Sequence, residues 1–248
     1  MDYLQQPVLF KIKKVSRYVS LYGVRRTYMK AISQLHLKRR YDSLPEAAVS
    51  LRPSQTVGVI GCGNFAFTTI VYYLKRGFGD VIAICMDTDV HRAASMSRHY
   101  RIPVYSSNAQ DVIKNAQVKL IYIASNHASH AEYAIEALES DKSVFIEKPH
   151  VVSEDQLLRL AGAMSRSRGK VFLGFNRPGS RFGRLIRQYL ERESGAGMYN
   201  WFVAGHAIDP NHWYFKPEEG GRVLGNLCHW TDFILRLVPF QRLAGLQE

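Results

Sequence analysis

The stretch TVGVIGCGNFAF, residues 56–67, decides the fold that we expect for this chain. TVGVIG is an apolar run typical of a strand buried on both faces, and FTTIVYYLKRG, ended by Gly77, has helical periodicity. Between them Gly61, Gly63 and Ala66 form a GxGxxA turn. Gly61 permits the turn, Gly63 lets the backbone approach a pyrophosphate, and Ala66 allows close helix–strand packing. The stretch therefore predicts a strand–turn–helix unit that holds phosphates.

The next predicted strand indicates which dinucleotide these phosphates belong to. It reads VIAICMD and ends at Asp87, 24 residues beyond Gly63, where a carboxylate can accept both ribose hydroxyls of NAD. A 2′-phosphate would be repelled there, although Arg92 is close enough in sequence to keep NADP as the alternative cofactor. Asn64 and Phe65 join the cofactor candidates because a helix N-terminus supplies N–H donors to phosphates. The competing interpretation is a glycine turn with a structural role only.

Strands and helices continue to alternate after this unit. VKLIYIAS, SVFI and KVFLGF have the character of strands, and DVHRAASMSRHY, HAEYAIEALES and SEDQLLRLAGAMSRS that of helices. Asp89 is a candidate N-cap, and Ser153 with Gln156 has the spacing of a capping box. This alternation predicts an α/β fold, a Rossmann doubly wound parallel sheet with right-handed crossovers, over residues 56–177.

Polar clusters follow three of these strands. Ligands of a doubly wound sheet bind beyond the carboxyl ends of its strands, so we expect the clusters to converge on one crevice and to contact the cofactor. Their members are Ser125, Asn126, His127 and His130 in IASNHASH, Glu147 and Lys148 in SVFIEKP, and Asn176 and Arg177 in GFNR. An exposed Glu–Lys ion pair in a loop is the plain alternative for the EK dipeptide.

With the glycine turn, the EKP and GFNR motifs resemble the glucose–fructose oxidoreductase / inositol dehydrogenase (Gfo/Idh/MocA) family from Thr56 to about Val238. The resemblance implies a second domain with a mostly antiparallel sheet, and an NAD(P)-dependent oxidoreductase that transfers a hydride to or from a sugar or nucleotide sugar. It also implies that Lys148 is a catalytic residue beside the nicotinamide and the substrate, that Glu147 orients substrate or cofactor, and that the peptide before Pro149 is often cis.

The expected second domain, residues 178–248, departs from the family pattern. Met198 to Ala204 has the alternation of a sheet strand, and a glycine-rich turn then precedes a helix bearing His229, the candidate general base, with Asn226 as a further substrate contact. A buried core histidine is the alternative. Gly225 stands where many members have Asp, and the chain stops at Glu248 where members continue, so we expect an incomplete, C-terminally shortened α+β domain. Candidates to replace the missing acid are His206, Asp209, His212 and Glu219, for which loop positions are the simpler expectation.

These departures leave a second function open, a non-catalytic dinucleotide- or sugar-binding relative with a regulatory or scaffolding role. They also bear on assembly. MYNWFV shows large apolar side chains on either face of the predicted strand, so we expect a homo-oligomer that covers it. The alternative cover is the N-terminal helical segment of the same chain.

Residues 1–55 form a basic helical extension and linker. Residues 1–52 hold 11 Lys/Arg against 3 Asp/Glu, and the remainder of the chain 22 against 18. Ile12, Val15, Val19 and Tyr22 form one helical stripe, Tyr28, Ile32 and Leu35 a second, and Gly23 is expected to interrupt the helix. A basic amphipathic helix suits an anionic membrane surface, whereas packing on the following domain is the alternative. No nucleic-acid motif accompanies the charges, so nucleic acid is not an expected partner.

Composition restricts the remaining possibilities. The three cysteines, Cys62, Cys85 and Cys228, are far apart and have no metal-ligand spacing, so neither a metal site nor a disulfide framework is expected. The N-terminus lacks the apolar segment of a signal peptide, and no apolar run reaches the roughly 20 residues of a membrane span. A cytoplasmic location is the expectation.

Overall fold

The computed structural model describes residues 6–47, 50–192, 198, 200–204 and 208–237. Its strands are β1 (Val57–Ile60), β2 (Ile82–Met86), β3 (Val104–Ser106), β4 (Leu120–Ile123), β5 (Ser143–Ile146) and β6 (Val171–Leu173). Its α-helices are α1 (Val8–Tyr22), α2 (Val24–Lys38), α3 (Val71–Phe78), α4 (Val90–Tyr100), α5 (Gln110–Ile113), α6 (His127–Glu139), α7 (Glu154–Arg166), α8 (Arg181–Leu190) and α9 (Cys228–Leu237). Short π-helical turns cover Ala66–Ile70 and Val223–Leu227, and 3₁₀ turns cover Trp213–Phe215 and Pro217–Glu219.

The six strands form one parallel sheet in the order β3-β2-β1-β4-β5-β6. This is the doubly wound Rossmann order: β1 to β3 extend the sheet in one direction, and β4 to β6 extend it in the other from the β1 side. The predicted fold class is confirmed in this respect. The strand β3 was not among the stretches quoted from the sequence, since its three residues are all only half-buried and give no apolar run.

Helices cover both faces of the sheet because alternate strand side chains point to opposite sides. On one face Ile60, Ile121 and Ile146 pack with α5, α6 and α7 in one buried cluster. On the other face Val59 and Cys85 pack with Phe67, α3 and α4 in a second cluster. Strands buried on both faces explain why β1 and β2 are continuously apolar in sequence.

Local signals in the sequence set several helix boundaries. The Asp89 carboxylate accepts a hydrogen bond from His91 N at the start of α4, and the Ser153 hydroxyl accepts one from Gln156 N at the start of α7, as predicted. Gly23, at φ 82°, separates α1 from α2. The end predicted at Gly77 is wrong, because α3 continues to Phe78 and Gly79 takes the positive φ of 71° that stops it.

The second helix of the extension packs on the Rossmann domain. Met29 belongs to the buried cluster that contains Phe67, and His36 stacks on Phe67 at 4.1 Å between ring centroids. The Arg26 guanidinium donates to the Thr68 carbonyl. The second predicted stripe is therefore only partly right: Ile32 faces the domain, whereas Tyr28 and Leu35 are exposed. The packing alternative proposed from the sequence thus holds for α2.

The segment after α8 differs from the sequence expectation. Residues 200–204 carry no strand assignment, so the strand predicted from Met198 to Ala204 is wrong for these described residues. Trp201 packs instead against Trp230 and Phe233 of α9, each at 5.1 Å between ring centroids. Aromatic packing on a helix satisfies these side chains without a sheet, and the part of the chain that is described contains no second sheet. His206 lies outside the described residues.

Within the described residues, no helix has the length and apolar character needed to cross a membrane.

Candidate functional site

The glycine turn lies at the carboxyl end of β1, beside the point where the sheet order reverses. Gly61 has φ 93°, and a Cβ built there would lie 2.5 Å from the carbonyl oxygen of Ala124, so only glycine fits. A Cβ at Gly63 would meet no atom within 4 Å, which leaves the backbone of this residue open to a ligand. Ala66 is buried against the sheet and Phe65 is half-exposed. Each glycine therefore occupies the position that the motif predicts.

Asp87 lies at the edge of the same turn. Its carboxylate accepts hydrogen bonds from Cys62 N at 2.8 Å and from Asp89 N at 2.9 Å. These bonds hold the carboxylate at the end of β2, where the ribose of a dinucleotide lies in this fold. Arg92 is 3.4 Å from Asp89 through Nε, and Arg40 of the extension is 3.1 Å from the same carboxylate. Arg92, the predicted cofactor contact, and Arg40 are therefore both already paired with the Asp89 carboxylate.

The polar cluster after β4 forms the N-terminus of α6. The Ser129 hydroxyl donates a hydrogen bond to Asn126 Oδ1 at 2.6 Å and lies 2.7 Å from the Ser125 hydroxyl. Asn126 Nδ2 donates to the Glu219 carboxylate at 2.8 Å, and His127 Nδ1 donates to the Glu219 carbonyl at 2.9 Å. Burial lowers the pKa of His127. The cluster therefore joins the Rossmann domain to the C-terminal segment instead of standing open.

His130 does not fit its predicted contact with a cofactor. Its side chain is 1% exposed, and its two ring nitrogens face the carbonyl oxygens of Pro149 at 2.7 Å and of Ser125 at 3.2 Å. Burial lowers its pKa to about 4, so the ring is neutral near pH 7 and only one of its two nitrogens carries a hydrogen to donate. His130 instead ties the loop after β4 to the loop after β5, and so positions the residues around it.

Glu147 and Lys148 follow β5 directly, and the Lys148–Pro149 peptide is cis. Lys148 Nζ donates a hydrogen bond to the Gly225 carbonyl at 2.8 Å. Burial lowers the pKa of Lys148, against the influence of Cys228 and Glu147, which raise it. Burial also raises the pKa of Glu147 to about 7. The plain alternative of an exposed ion pair is therefore wrong, because both side chains are drawn into the crevice and both have shifted pKa values.

His229 lies in the first turn of α9, four residues after Gly225, whose carbonyl meets Lys148. It is buried, its ring meets Phe175 edge-on at 6.0 Å, and its Nδ1 has no hydrogen-bond partner. Burial, followed by the positive charges of Arg177 and Lys148, lowers its pKa to about 4. The electrostatic coupling brings Lys148, His229 and Arg177 into one group. A neutral imidazole beside an ammonium can exchange a proton with a bound hydroxyl.

The remaining predicted residues, Arg177, Asn176 and Asn226, differ in their burial and contacts. The Arg177 guanidinium lies over the Trp230 ring at 4.6 Å, and its Nε is buried without a partner. Asn176 is exposed and Asn226 is half-buried on the π-helical turn before α9. Asn226 and His229 thus lie in the same turn-and-helix segment that meets Lys148.

Four residues of the crevice were not singled out as site residues by sequence reasoning. Gly225 packs so closely that a Cβ there would lie 2.2 Å from Tyr214 Oη and 2.8 Å from His127 Cε1. Glu219, which the sequence offered as a replacement for the missing acid with a sheet-edge or loop position as the simpler expectation, is buried and accepts hydrogen bonds from Asn126 Nδ2 and Ala128 N. His150 has a buried Nδ1 without a partner. Only the EKPH adjacency could have indicated His150, whereas nothing in the sequence connects Glu219 or Tyr214 to α6.

The residues present fit a nicotinamide dinucleotide. The turn exposes the Gly63 backbone, and the Asn64 Oδ1, Arg177 Nε and His229 Nδ1 atoms are buried without hydrogen-bond partners. Unpaired buried polar atoms are costly in a folded protein unless a ligand or water meets them. Asp87 would hold the ribose, the Gly63 backbone the pyrophosphate, and the Lys148 group the nicotinamide end.

Comparison with known protein families supports an NAD-binding Rossmann fold. The model described as GFO_IDH_MocA, oxidoreductase family, NAD-binding Rossmann fold, matches residues 55–175. An inositol 2-dehydrogenase of Saccharopolyspora erythraea is 37% identical over 157 residues, which are 62% of this chain and 45% of that protein. An oxidoreductase named P35 of Formosa agariphila is 28% identical over 114 residues, which are 46% of this chain and 36% of that protein. The chain therefore covers less than half of either relative.

Solved structures share the fold. A levoglucosan dehydrogenase in complex with NADH and levoglucosan superposes with a TM-score of 0.61 at 20% identity, covering 74% of this chain and 54% of that one. An NAD-binding protein from Listeria innocua superposes with a TM-score of 0.64 at 22% identity, covering 75% and 55%. At these identities the likeness concerns the fold.

Proposed function

Because the chain belongs to the Gfo/Idh/MocA oxidoreductase family, with an NAD-binding Rossmann fold, we propose that it transfers a hydride between a nicotinamide cofactor and a hydroxyl or ketone of a sugar or nucleotide sugar. The observation that carries the proposal is Lys148, a partly buried lysine at the carboxyl end of β5, grouped with a neutral His229. The name of the inositol dehydrogenase relative and the levoglucosan complex support a polyol or sugar as the substrate class.

In this proposal the chain's own residues handle the proton and the orientation. The Lys148 ammonium donates a hydrogen bond to the reacting oxygen and stabilises the negative charge that develops on it. In the oxidation direction the hydroxyl proton passes to the neutral imidazole of His229, and in the reduction direction it returns. The nicotinamide, when bound, supplies or accepts the hydride. Burial keeps Glu147 largely protonated up to about pH 7. Glu147 therefore orients Lys148 without forming a full ion pair with it.

The test separates binding from turnover. NADH and NADPH are titrated against intrinsic tryptophan and tyrosine fluorescence, and oxidation of a panel of myo-inositol, levoglucosan and nucleotide sugars is then followed at the nicotinamide absorbance. Lys148→Met should abolish turnover while NADH affinity stays within about threefold, because the ammonium acts on the substrate oxygen. Failure of both cofactors to bind below about millimolar concentration, the weak end of specific binding, would remove the proposal.

The second candidate is a non-catalytic dinucleotide- or sugar-binding protein with a regulatory or scaffolding role. The engagement of Lys148 Nζ by the Gly225 carbonyl favours it, as does the absence of a carboxylate at position 225. An aspartate there would raise the basicity of the imidazole, and Gly225 cannot. This candidate predicts cofactor binding without turnover of any substrate in the panel. Turnover that is lost in Lys148→Met would exclude it.

A further inference from the structure

The N-terminal hairpin, which we define as α1 and α2, carries charge of one sign. Between Gln6 and Tyr41 the chain has ten Lys/Arg residues and no Asp or Glu. The Rossmann domain does not need this charge for cofactor binding, since its own turn and α-helix N-terminus serve the phosphates. A segment with this many positive charges and no negative ones has the electrostatic pattern of a surface that binds an anionic partner.

The hairpin also exposes apolar side chains that an ordinary charged surface would not. The α1 stripe, defined as Val8, Ile12, Val15, Val19 and Tyr22, has the i, i+4, i+7 spacing of one helical face. Val8 is 70% exposed and Ile12 is 61% exposed, and α1 has no buried residue. Leu9 and Leu21 add further exposed apolar area. Burial of this area would be favourable, and within the described residues it stays exposed except at Val19, which is half-buried.

The two helices of the hairpin differ in how firmly they are attached. The helix α2 is fixed by the buried Met29 and by the His36 Nε2 hydrogen bond to the Cys62 carbonyl at 2.7 Å. The helix α1 precedes Gly23, whose φ of 82° ends it and separates it from α2. The rigid domain therefore presents α1 at its surface with its apolar stripe largely uncovered.

From this combination we propose that α1 lies on the surface of an anionic phospholipid bilayer, with its apolar stripe in the headgroup region and the basic residues of the hairpin against the lipid phosphates and carboxylates. An α1 of 15 residues is about 22 Å long, shorter than the roughly 30 Å hydrocarbon core, so it lies along the surface. Helices of this type combine apolar burial with attraction to anionic lipid.

Other occupants fit the hairpin less well. A second copy of the hairpin would bring two surfaces of the same strong positive charge together, which repel each other. Nucleic acid would match the charges, but its phosphate backbone offers nothing to Val8 or Ile12. Aromatic side chains on α1, Phe10, Tyr18 and Tyr22, are of the type found at membrane–water interfaces. The cation–π contact of Lys14 with Phe10, at 5.7 Å, keeps a long basic side chain along the apolar surface.

The experiment is flotation of the full chain with vesicles of phosphatidylcholine containing about 30 mol% phosphatidylserine, compared with phosphatidylcholine alone. We expect binding to the anionic vesicles only, and weaker binding as salt rises from about 0.05 to about 0.5 M. Ile12→Asp should remove binding, and Lys13→Gln with Arg17→Gln should weaken it about tenfold or more.

Matched controls come from α8, another helix with exposed apolar and basic side chains. Phe182→Asp is the control for the apolar substitution, and Arg181→Gln with Arg187→Gln is the control for the charge substitutions. Both controls should bind vesicles like the unsubstituted chain. Thermal unfolding and NADH titration of every variant verify the fold and separate this test from that of the proposed function.

Several outcomes would overturn the proposal. These are equal binding to neutral and anionic vesicles, no binding to either, or equal losses in the α8 controls. Tighter binding to a labelled DNA or RNA duplex than to vesicles, weakened by the same α1 substitutions, would assign the hairpin to nucleic acid instead. A dimer that Ile12→Asp dissociates, without vesicle binding, would assign it to a second copy of the chain.

Discussion

Replacing Glu147 by glutamine tests the electrostatics of the crevice directly. Glutamine keeps the shape of the side chain and can still accept a hydrogen bond, but it carries no charge. Burial raises the pKa of Glu147 from its ordinary 4.5 to about 7. The folded protein therefore holds a proton on Glu147 that the unfolded chain releases between these pH values.

The sign and size of the effect follow from this difference. A group whose pKa is raised by folding stabilises the folded state fully below its unfolded pKa, and this contribution is lost as pH rises through the folded pKa. A pKa that moves from 4.5 to about 7 corresponds to about 3 kcal/mol, at roughly 1.4 kcal/mol for each pH unit. Since Glu147 is only half-buried and solvent screens part of this effect, we expect about 2 kcal/mol.

Urea unfolding at about pH 5 and about pH 8 measures this stability contribution. In the folded protein Glu147 is mostly protonated at the lower pH and mostly ionised at the higher pH. Glu147→Gln should gain about 2 kcal/mol of unfolding free energy relative to the unsubstituted chain between these pH values. Glu139→Gln, the same replacement at the exposed end of α6, is the matched control and should gain nothing comparable. A gain that is absent, or equal in both variants, would refute the argument that burial controls the charge of Glu147.

Three further results are expected. Gly61→Ala should lower the melting temperature and abolish NADH binding, because its Cβ would meet the Ala124 carbonyl at 2.5 Å. Gly63→Ala should leave the melting temperature unchanged and weaken only NADH binding, because its Cβ would meet no atom within 4 Å. Calorimetry with fluorescence titration checks both, and equal melting of the two variants would contradict the steric argument. Asp87→Ser should raise the affinity ratio of NADPH to NADH about tenfold, since it removes the charge that repels a 2′-phosphate; an unchanged ratio would mean that Asp87 does not read the ribose. Light scattering should find a homodimer or tetramer, because Met198 and Phe202 are largely exposed even without the predicted strand; a stable monomer would contradict that expectation.

The sequence alone predicted the Rossmann half in most of its parts. Buried parallel strands read as continuous apolar runs, and the GxGxxA turn has a fixed local geometry, so β1, the turn and Asp87 could each be assigned from neighbouring residues. The strand β3 and the end of α3 were missed because their signals are short or ambiguous. The strand at 200–204 was predicted wrongly, because alternating aromatic residues suit a sheet and a helix-packed segment equally well.

Only the tertiary structure decided how the two parts of the crevice meet. Glu219 lies 93 residues from its partner Asn126, and Lys148 lies 77 residues from Gly225, distances along the chain over which no local pattern operates. The same holds for the contact of His36 with Cys62, which fixes α2 and leaves α1 exposed. The sequence thus determined the glycine turn after β1, whose geometry depends on adjacent residues. Burial and charge at Glu147, Lys148 and His229 were decided by packing between remote segments, because desolvation depends on everything that surrounds a side chain.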